Sequence, residues 1–175
     1  MALEFSEETE AKFQDLVKRY PNNHAALLPA LLMAQDEFGW VSVEVMDYVA
    51  DRLELSPAKV LSTATFYTMY NKQPIGKCHI QVCTTLTCGM CGGYELMDHL
   101  EDRLGIRPGE TTPDGKYTVT EVECLASCGT APMFQITYSD GKIEYHENLS
   151  LDDVDNLLDE LDEKLEDLPA PKEMH

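Results

Sequence analysis

From residue 6 to about residue 70, apolar positions recur at helical spacing. Phe13, Leu16, Val17 and Tyr20 stand at i, i+3, i+4 and i+7 behind an acidic start at Glu7 and Glu8. That pattern predicts a helix, ended by Pro21-Asn22-Asn23. Leu27, Leu28, Leu31 and Leu32 lead to Phe38 in a second helix closed by Gly39. Pro29 is expected in its first turn, where the missing N–H does no harm. Ser42 is placed to cap a third helix, with Met46, Val49, Ala50 and Leu53 facing inward. Ser56-Pro57 opens a fourth, with Val60, Leu61, Ala64 and Tyr67 on its inner side.

The period changes at Asn71 to Gly76. Lys77 to Cys83 alternates and is rich in β-formers, and Gly92-Gly93 then leads into a helix on Leu96, Met97, Leu100 and Leu104 that stops at Gly105. Pro113-Asp114-Gly115 marks a turn, and Tyr117 to Glu123 reads as a second strand. Met133 to Tyr138 and Lys142 to His146 form a hairpin around Ser139-Asp140-Gly141. Ser150, with Asp153 placed for a capping box, opens a last helix that runs to Asp167. The fold class expected is α+β: an N-terminal helical bundle over 1–74, a thioredoxin-like β-α-β-β-α domain with a mixed sheet over 75–168, and a tail over 169–175.

Charge narrows the choice of function. Among 175 residues, 13 Lys and Arg face 32 Asp and Glu, a net charge of -19, while 43% of residues are hydrophobic. The apolar share is enough to bury a core. The acidity repels phosphate backbones and anionic lipid surfaces, so no nucleic acid is expected as a partner. The longest apolar run, Ala25 to Ala34, is interrupted by Pro29 and is about half the roughly 20 residues of a spanning helix, so no direct membrane insertion is expected. The start of the chain carries no cationic segment ahead of an apolar one, which points to the cytoplasm, where thiols stay reduced.

Six cysteines then carry the candidate chemistry: Cys78, Cys83, Cys88, Cys91, Cys124 and Cys128. Cys83 and Cys88 form a C-x4-C after the first strand, and Cys124 and Cys128 a C-x3-C after the second. Strand ends of one sheet lie close together, so both pairs can converge and offer four thiolates to [2Fe-2S], [4Fe-4S] or zinc. Zinc sites typically use tighter C-x2-C pairs. Other readings use the same residues. Cys83, Cys88 and Cys91 have the plant-type ferredoxin spacing, which leaves one cysteine of the second pair idle. Cys88 and Cys91 form a C-x-x-C at a helix start, as in a dithiol enzyme, which has no use for Cys83, Cys124 and Cys128. All six could also be small buried hydrophobes, an account at odds with two close pairs flanked by Gly89, Gly92, Gly93 and Gly129. A Rieske site would need two histidines, and His79 has no partner at matching spacing.

Val82-Cys83-Thr84-Thr85-Leu86-Thr87-Cys88 with Gly92-Gly93, and Glu121-Val122-Glu123-Cys124-Leu125-Ala126-Ser127-Cys128 with Ala131-Pro132, resemble the thioredoxin-like [2Fe-2S] ferredoxin family. Within it they are similar to the small iron–sulfur subunits of bacterial NADH:quinone oxidoreductases. Ala34-Gln35-Asp36-Glu37-Phe38-Gly39-Trp40-Val41 and Ala64-Thr65-Phe66-Tyr67-Thr68-Met69 resemble the helical portion of those subunits, so the likeness covers about 6 to 165. It implies that Cys83, Cys88, Cys124 and Cys128 hold a [2Fe-2S] cluster. Ala126-Ser127 stands where Gly-Ala is usual, and Cys78 and Cys91 are extra.

The resemblance also implies a one-electron carrier beside a flavin-bearing NADH-binding subunit, with FMN and NADH on that partner. The helical bundle would dock to it, and the assembly would lie peripherally on the cytoplasmic face of the inner membrane. The same motifs would serve the diaphorase subunit of an NAD-dependent hydrogenase or formate dehydrogenase, or a free-standing ferredoxin. No G-x-G-x-x-G or P-loop motif is present, so the chain by itself is expected not to oxidise NADH. Its acidity predicts a low reduction potential. On the final helix, Leu151, Val154, Leu158, Leu161, Leu165 and Leu168 are expected to pack on the sheet rather than form a coiled-coil seam.

Overall fold

The computed structural model describes residues 3–171, so the tail expected over 169–175 lies outside them beyond Pro171. Two compact units are present, one running to Pro74 and the other Ile75–Pro171.

The first unit holds α1 (Glu7–Lys18), α2 (Asn23–Phe38), α3 (Val43–Leu53) and α4 (Pro57–Phe66). Ser6, Asn22, Ser42 and Ser56 each accept a backbone N–H of the first turn through a side-chain oxygen, which satisfies donors that a helix start leaves unpaired. Phe13, Leu27, Leu31, Val45, Val49, Leu53 and Val60 are among the residues that fill the core.

Three details differ from the sequence expectation. Asn22 caps α2, so Pro29 lies past the first turn and inside the helix. An interior proline costs about 3 kcal/mol, and burying Leu27 and Leu31, at about 1.5–3 kcal/mol each, offsets it. The Tyr70 hydroxyl donates to the Leu28 carbonyl, one residue before Pro29, at 2.9 Å. On α4, only Val60 and Ala64 are buried, while Leu61 and Tyr67 are exposed together with Phe66 and Met69. Tyr67 turns outward because the helix ends at Phe66 and the backbone there is already extended. Tyr20 likewise lies beyond the end of α1 and is exposed.

The second unit runs β1 (Cys78–Cys83), α5 (Leu86–Met90), α6 (Gly93–Leu104), β2 (Tyr117–Val122), a single 3-10 turn at Cys128–Thr130, β3 (Phe134–Tyr138), β4 (Ile143–His146) and α7 (Leu151–Glu166). The sheet order is β2-β1-β3-β4, with β1 parallel to β2 and the other pairs antiparallel. The parallel pair needs a crossover, which α5 and α6 supply. Gly105 ends α6 in the left-handed region, and Ser150 with Asp153 makes both halves of the capping box on α7.

Ile80, Val82, Val119, Phe134 and Ile136 join Leu96 and Leu100 of α6 and Val154, Leu158, Leu161 and Leu165 of α7 in one core. Leu158, Leu161 and Leu165 of α7 therefore pack on this unit's own sheet, as expected, whereas Leu151 at the start of the helix is exposed. β1, paired on both sides, is almost wholly buried, as a central strand must be. No helix among the described residues is long and apolar enough to cross a membrane.

Candidate metal centre

In the pairing of β1 with β2, Cys83 lies opposite Val122. Because the strands are parallel, their C-terminal ends point the same way and deliver both cysteine loops to one edge of the sheet. The Cys83 Sγ lies 3.8 Å from the Glu123 carbonyl oxygen, at the root of the second loop.

The first pair is set into the core. Cys83 and Cys88 are 3% and 1% exposed and pack against Met133, with Leu125 and Ala131 beside them. The Cys83 backbone N–H donates to the Met133 carbonyl and the Thr84 N–H to the Val122 carbonyl, tying the strand end to both neighbouring segments. Cys88 sits on α5, a short helix that the sequence pattern does not predict. Its five residues are too few to show a period.

Two glycines allow this arrangement. A Cβ on Gly93 would stand 2.7 Å from the Cys83 carbonyl oxygen and 2.8 Å from that of Cys88, and one on Gly89 would stand 2.7 Å from the Thr84 carbonyl oxygen. Backbone crosses backbone here too closely for any side chain. Burial pushes the Cys88 thiol up to about 11, helped by a hydrogen bond with Cys83 and by the charge of Cys83 and Cys128. The Met133 N–H, turned toward the Cys88 sulfur, acts the other way. The Cys88 sulfur thus feels both its pair partner Cys83 and, from the second loop, Cys128.

Cys124 and Cys128 are exposed, on a loop without regular structure apart from its 3-10 turn. Between them, Ala126 has φ +60, the left-handed region that a Cβ disfavours. This is the position where the family resemblance leads one to expect glycine. In that conformation the Ala126 N–H donates to the Cys124 Sγ at 3.3 Å. The Ser127 and Thr130 hydroxyl oxygens lie 2.8 Å apart, and both hydroxyls donate to the Glu147 carboxylate, Thr130 at 2.7 Å. Those two hydrogen bonds hold Glu147 below the usual carboxylate range. Neither Glu147 nor Met133 is visible to sequence reasoning: one is an acid among many, the other acts through its backbone.

The remaining candidates separate cleanly. Cys78 is fully buried in the sheet core, which pushes its thiol up to about 12, and Cys91 is exposed at the end of α5. His79 is buried against Thr120, 2.8 Å from its hydroxyl, and burial lowers it to about 4. It is an ordinary strand residue. Among the described residues, no three His, Cys, Asp or Glu side chains gather about a point as the ligands of a single ion. Two pairs of soft sulfur donors, one buried and one at the surface, with backbone N–H groups aimed at sulfur in each, suit an iron–sulfur centre.

The sequence profile of thioredoxin-like [2Fe-2S] ferredoxins matches residues 13–162. The chain belongs to that family. It is 43% identical over 141 residues to the E 2 subunit of the NADH-quinone oxidoreductase of Rhizobium meliloti, a match covering 81% of each chain. To NADH-quinone oxidoreductase subunit 2 of Thermus thermophilus it is 44% identical over 133 residues, covering 76% of this chain and 71% of that one. A chain of an NAD+-reducing [NiFe]-hydrogenase in the air-oxidized state has the same fold, with a TM-score of 0.64 over 82% of this chain. The match spans 24% of the hydrogenase chain at 21% identity, so that likeness concerns the fold alone.

Proposed function

We propose that this ferredoxin-family chain is the [2Fe-2S] electron-transfer subunit of a multisubunit NADH:quinone oxidoreductase, with its cluster held by Cys83, Cys88, Cys124 and Cys128. The supporting observation is that parallel β1 and β2, with Cys83 opposite Val122, send both cysteine loops from the same end of the sheet, in a chain 43% identical to its Rhizobium meliloti relative. NADH and FMN belong to a flavin-bearing partner subunit. The assembly lies on the cytoplasmic face of the inner membrane, and enzyme activity is a property of the whole.

When bound, the cluster accepts and returns one electron at a time. The chain's own residues hold and tune it. β1 and α5 fix the first two sulfurs in the core, the N–H groups of Met133 and Ala126 stabilise negative charge on sulfur, and burial on one side limits water. The exposed side chains of Leu86, Met90 and Tyr94, beside the first pair, give the partner an apolar surface close to the cluster.

The test is the iron and acid-labile sulfide content of anaerobically isolated protein, with EPR after reduction. Two irons and two sulfides per chain are expected, retained in Cys91→Ser and lost or destabilised in Cys128→Ser. A colourless, iron-free protein would overturn the assignment. The subunits that copurify distinguish a respiratory complex from the diaphorase of an NAD-dependent hydrogenase.

A further inference from the structure

The exposed cysteine loop is braced from outside the cysteine motif. Glu147, in the connection between β4 and α7, accepts hydrogen bonds from both Ser127 and Thr130. The next two residues continue the contact: the Asn148 N–H donates to the Thr130 carbonyl at 2.8 Å and the Leu149 N–H to the Pro132 carbonyl at 3.1 Å. Asn148 adopts φ +52 to do so. Four hydrogen bonds therefore tie 147–149 to 127–132, the stretch that contains Cys128.

We propose that Glu147 is a positioning residue for the second cysteine pair: its carboxylate clamps Ser127 and Thr130, on either side of Cys128, and its charge disfavours electron uptake at the site. The clamp acts through geometry. Ser127 immediately precedes Cys128, and the 3-10 turn Cys128–Thr130 ends on the other hydroxyl. Holding both hydroxyls on one carboxylate fixes the backbone that presents the Cys128 sulfur. The charge acts through space, since adding an electron beside a fixed anion is less favourable. Acids are abundant in this chain, and among the described residues Glu147 is bonded to the second cysteine loop at two points.

The inference rests on the ligand assignment above, and the test separates the two. Full-length chain is isolated anaerobically as wild type, Glu147→Gln, Glu147→Ala and the Ser127→Ala/Thr130→Val double variant. Folding is checked by far-UV circular dichroism. Cluster lifetime is measured against an iron chelator, and the midpoint potential by EPR-monitored redox titration.

Glu147→Ala and the double variant are expected to lose the cluster at least about tenfold faster than wild type, the scale set by loss of one charge-assisted hydrogen bond. Glu147→Gln keeps an acceptor and restores most of that lifetime. Its midpoint potential moves positive, by about a threefold change in the oxidised-to-reduced ratio at a given potential. A role confined to structure would leave that potential unmoved. Wild-type lifetime in Glu147→Ala overturns the clamp, and a wild-type potential in Glu147→Gln overturns the charge effect. If Glu147→Ala fails to fold, the double variant decides the clamp by the same criterion. A wild-type protein that holds no iron overturns the ligand assignment instead.

Discussion

Cys83 and Cys88 are held by the core, Cys124 and Cys128 by a few hydrogen bonds at the surface. The first pair has a central strand and a helix behind it, two glycines that let backbones touch, and almost no exposure. The second pair hangs on an exposed loop with a left-handed alanine and an outside brace at Glu147. The first half of the site is thus preorganised whether or not a cluster is present. The second half has little holding it beyond local bonds. With all four cysteines as ligands, as proposed, a bound cluster would supply the rest, a fixed wall receiving it and a more compliant loop completing the site.

The largest expected effects come from the cysteines themselves. Cys88→Ser should abolish cluster binding, as read by iron content and visible absorbance. Hydrogen exchange then locates the asymmetry. Amides of residues 124–131 should exchange much faster without the cluster than with it, while those of β1 and α6 should scarcely change. Equal protection of both loops in the cluster-free protein would break the comparison.

Next is a pH effect confined to the buried strand. Burial depresses His79 from about 6.5 to about 4 in the folded protein, so the folded state binds its proton less readily than the unfolded chain does. Its stability contribution is complete above about pH 6.5 and is lost as pH falls toward 4, up to roughly 3 kcal/mol. Urea unfolding at pH 7 and pH 4.5 should show that fall, and His79→Gln should flatten it. An unchanged slope in the variant would remove His79 as the cause.

Glycine substitutions sharpen the contrast at smaller cost. Gly93→Ala puts a methyl group against the Cys83 and Cys88 carbonyls and should destabilise the fold by about 1–3 kcal/mol, with lower iron content. Gly129→Ala in the second loop meets nothing within 4 Å and should change stability by less than about 0.5 kcal/mol. Thermal unfolding of both variants checks the pair, and similar losses would contradict a rigid first half and a compliant second. The smallest effect belongs to Ala126→Gly. Relieving the left-handed alanine should gain about 1 kcal/mol or less and slow cluster loss slightly, without moving the reduced EPR spectrum.

Much of this is legible in the chain. Ser42, Ser56 and Ser150 stand where helices start, and Gly39 and Gly105 where they stop, because caps and left-handed turns are local chemistry. Alternation locates the strands, and the parallel pairing of β1 with β2 brings the two cysteine loops to one sheet edge, as the spacing anticipates. The differences fall where packing overrules local preference. Pro29 is carried inside α2 by the leucines around it, and Leu61 and Tyr67 face solvent because α4 touches its neighbours along a narrow stripe. α5 escapes a reading by pattern because one short turn leaves no periodic trace.

The residue order by itself determined the family, most of the element order and which cysteines stand as close pairs. Cysteine spacing, caps and hydrophobic period all act within a few positions of one another. Only the tertiary structure decided that Cys83 and Cys88 are buried while Cys124 and Cys128 are exposed, that Gly93 is a point of backbone contact, and that Glu147 reaches Ser127 and Thr130 from another loop. Those facts depend on which distant segments the sheet and its helices press together, and no local pattern encodes that.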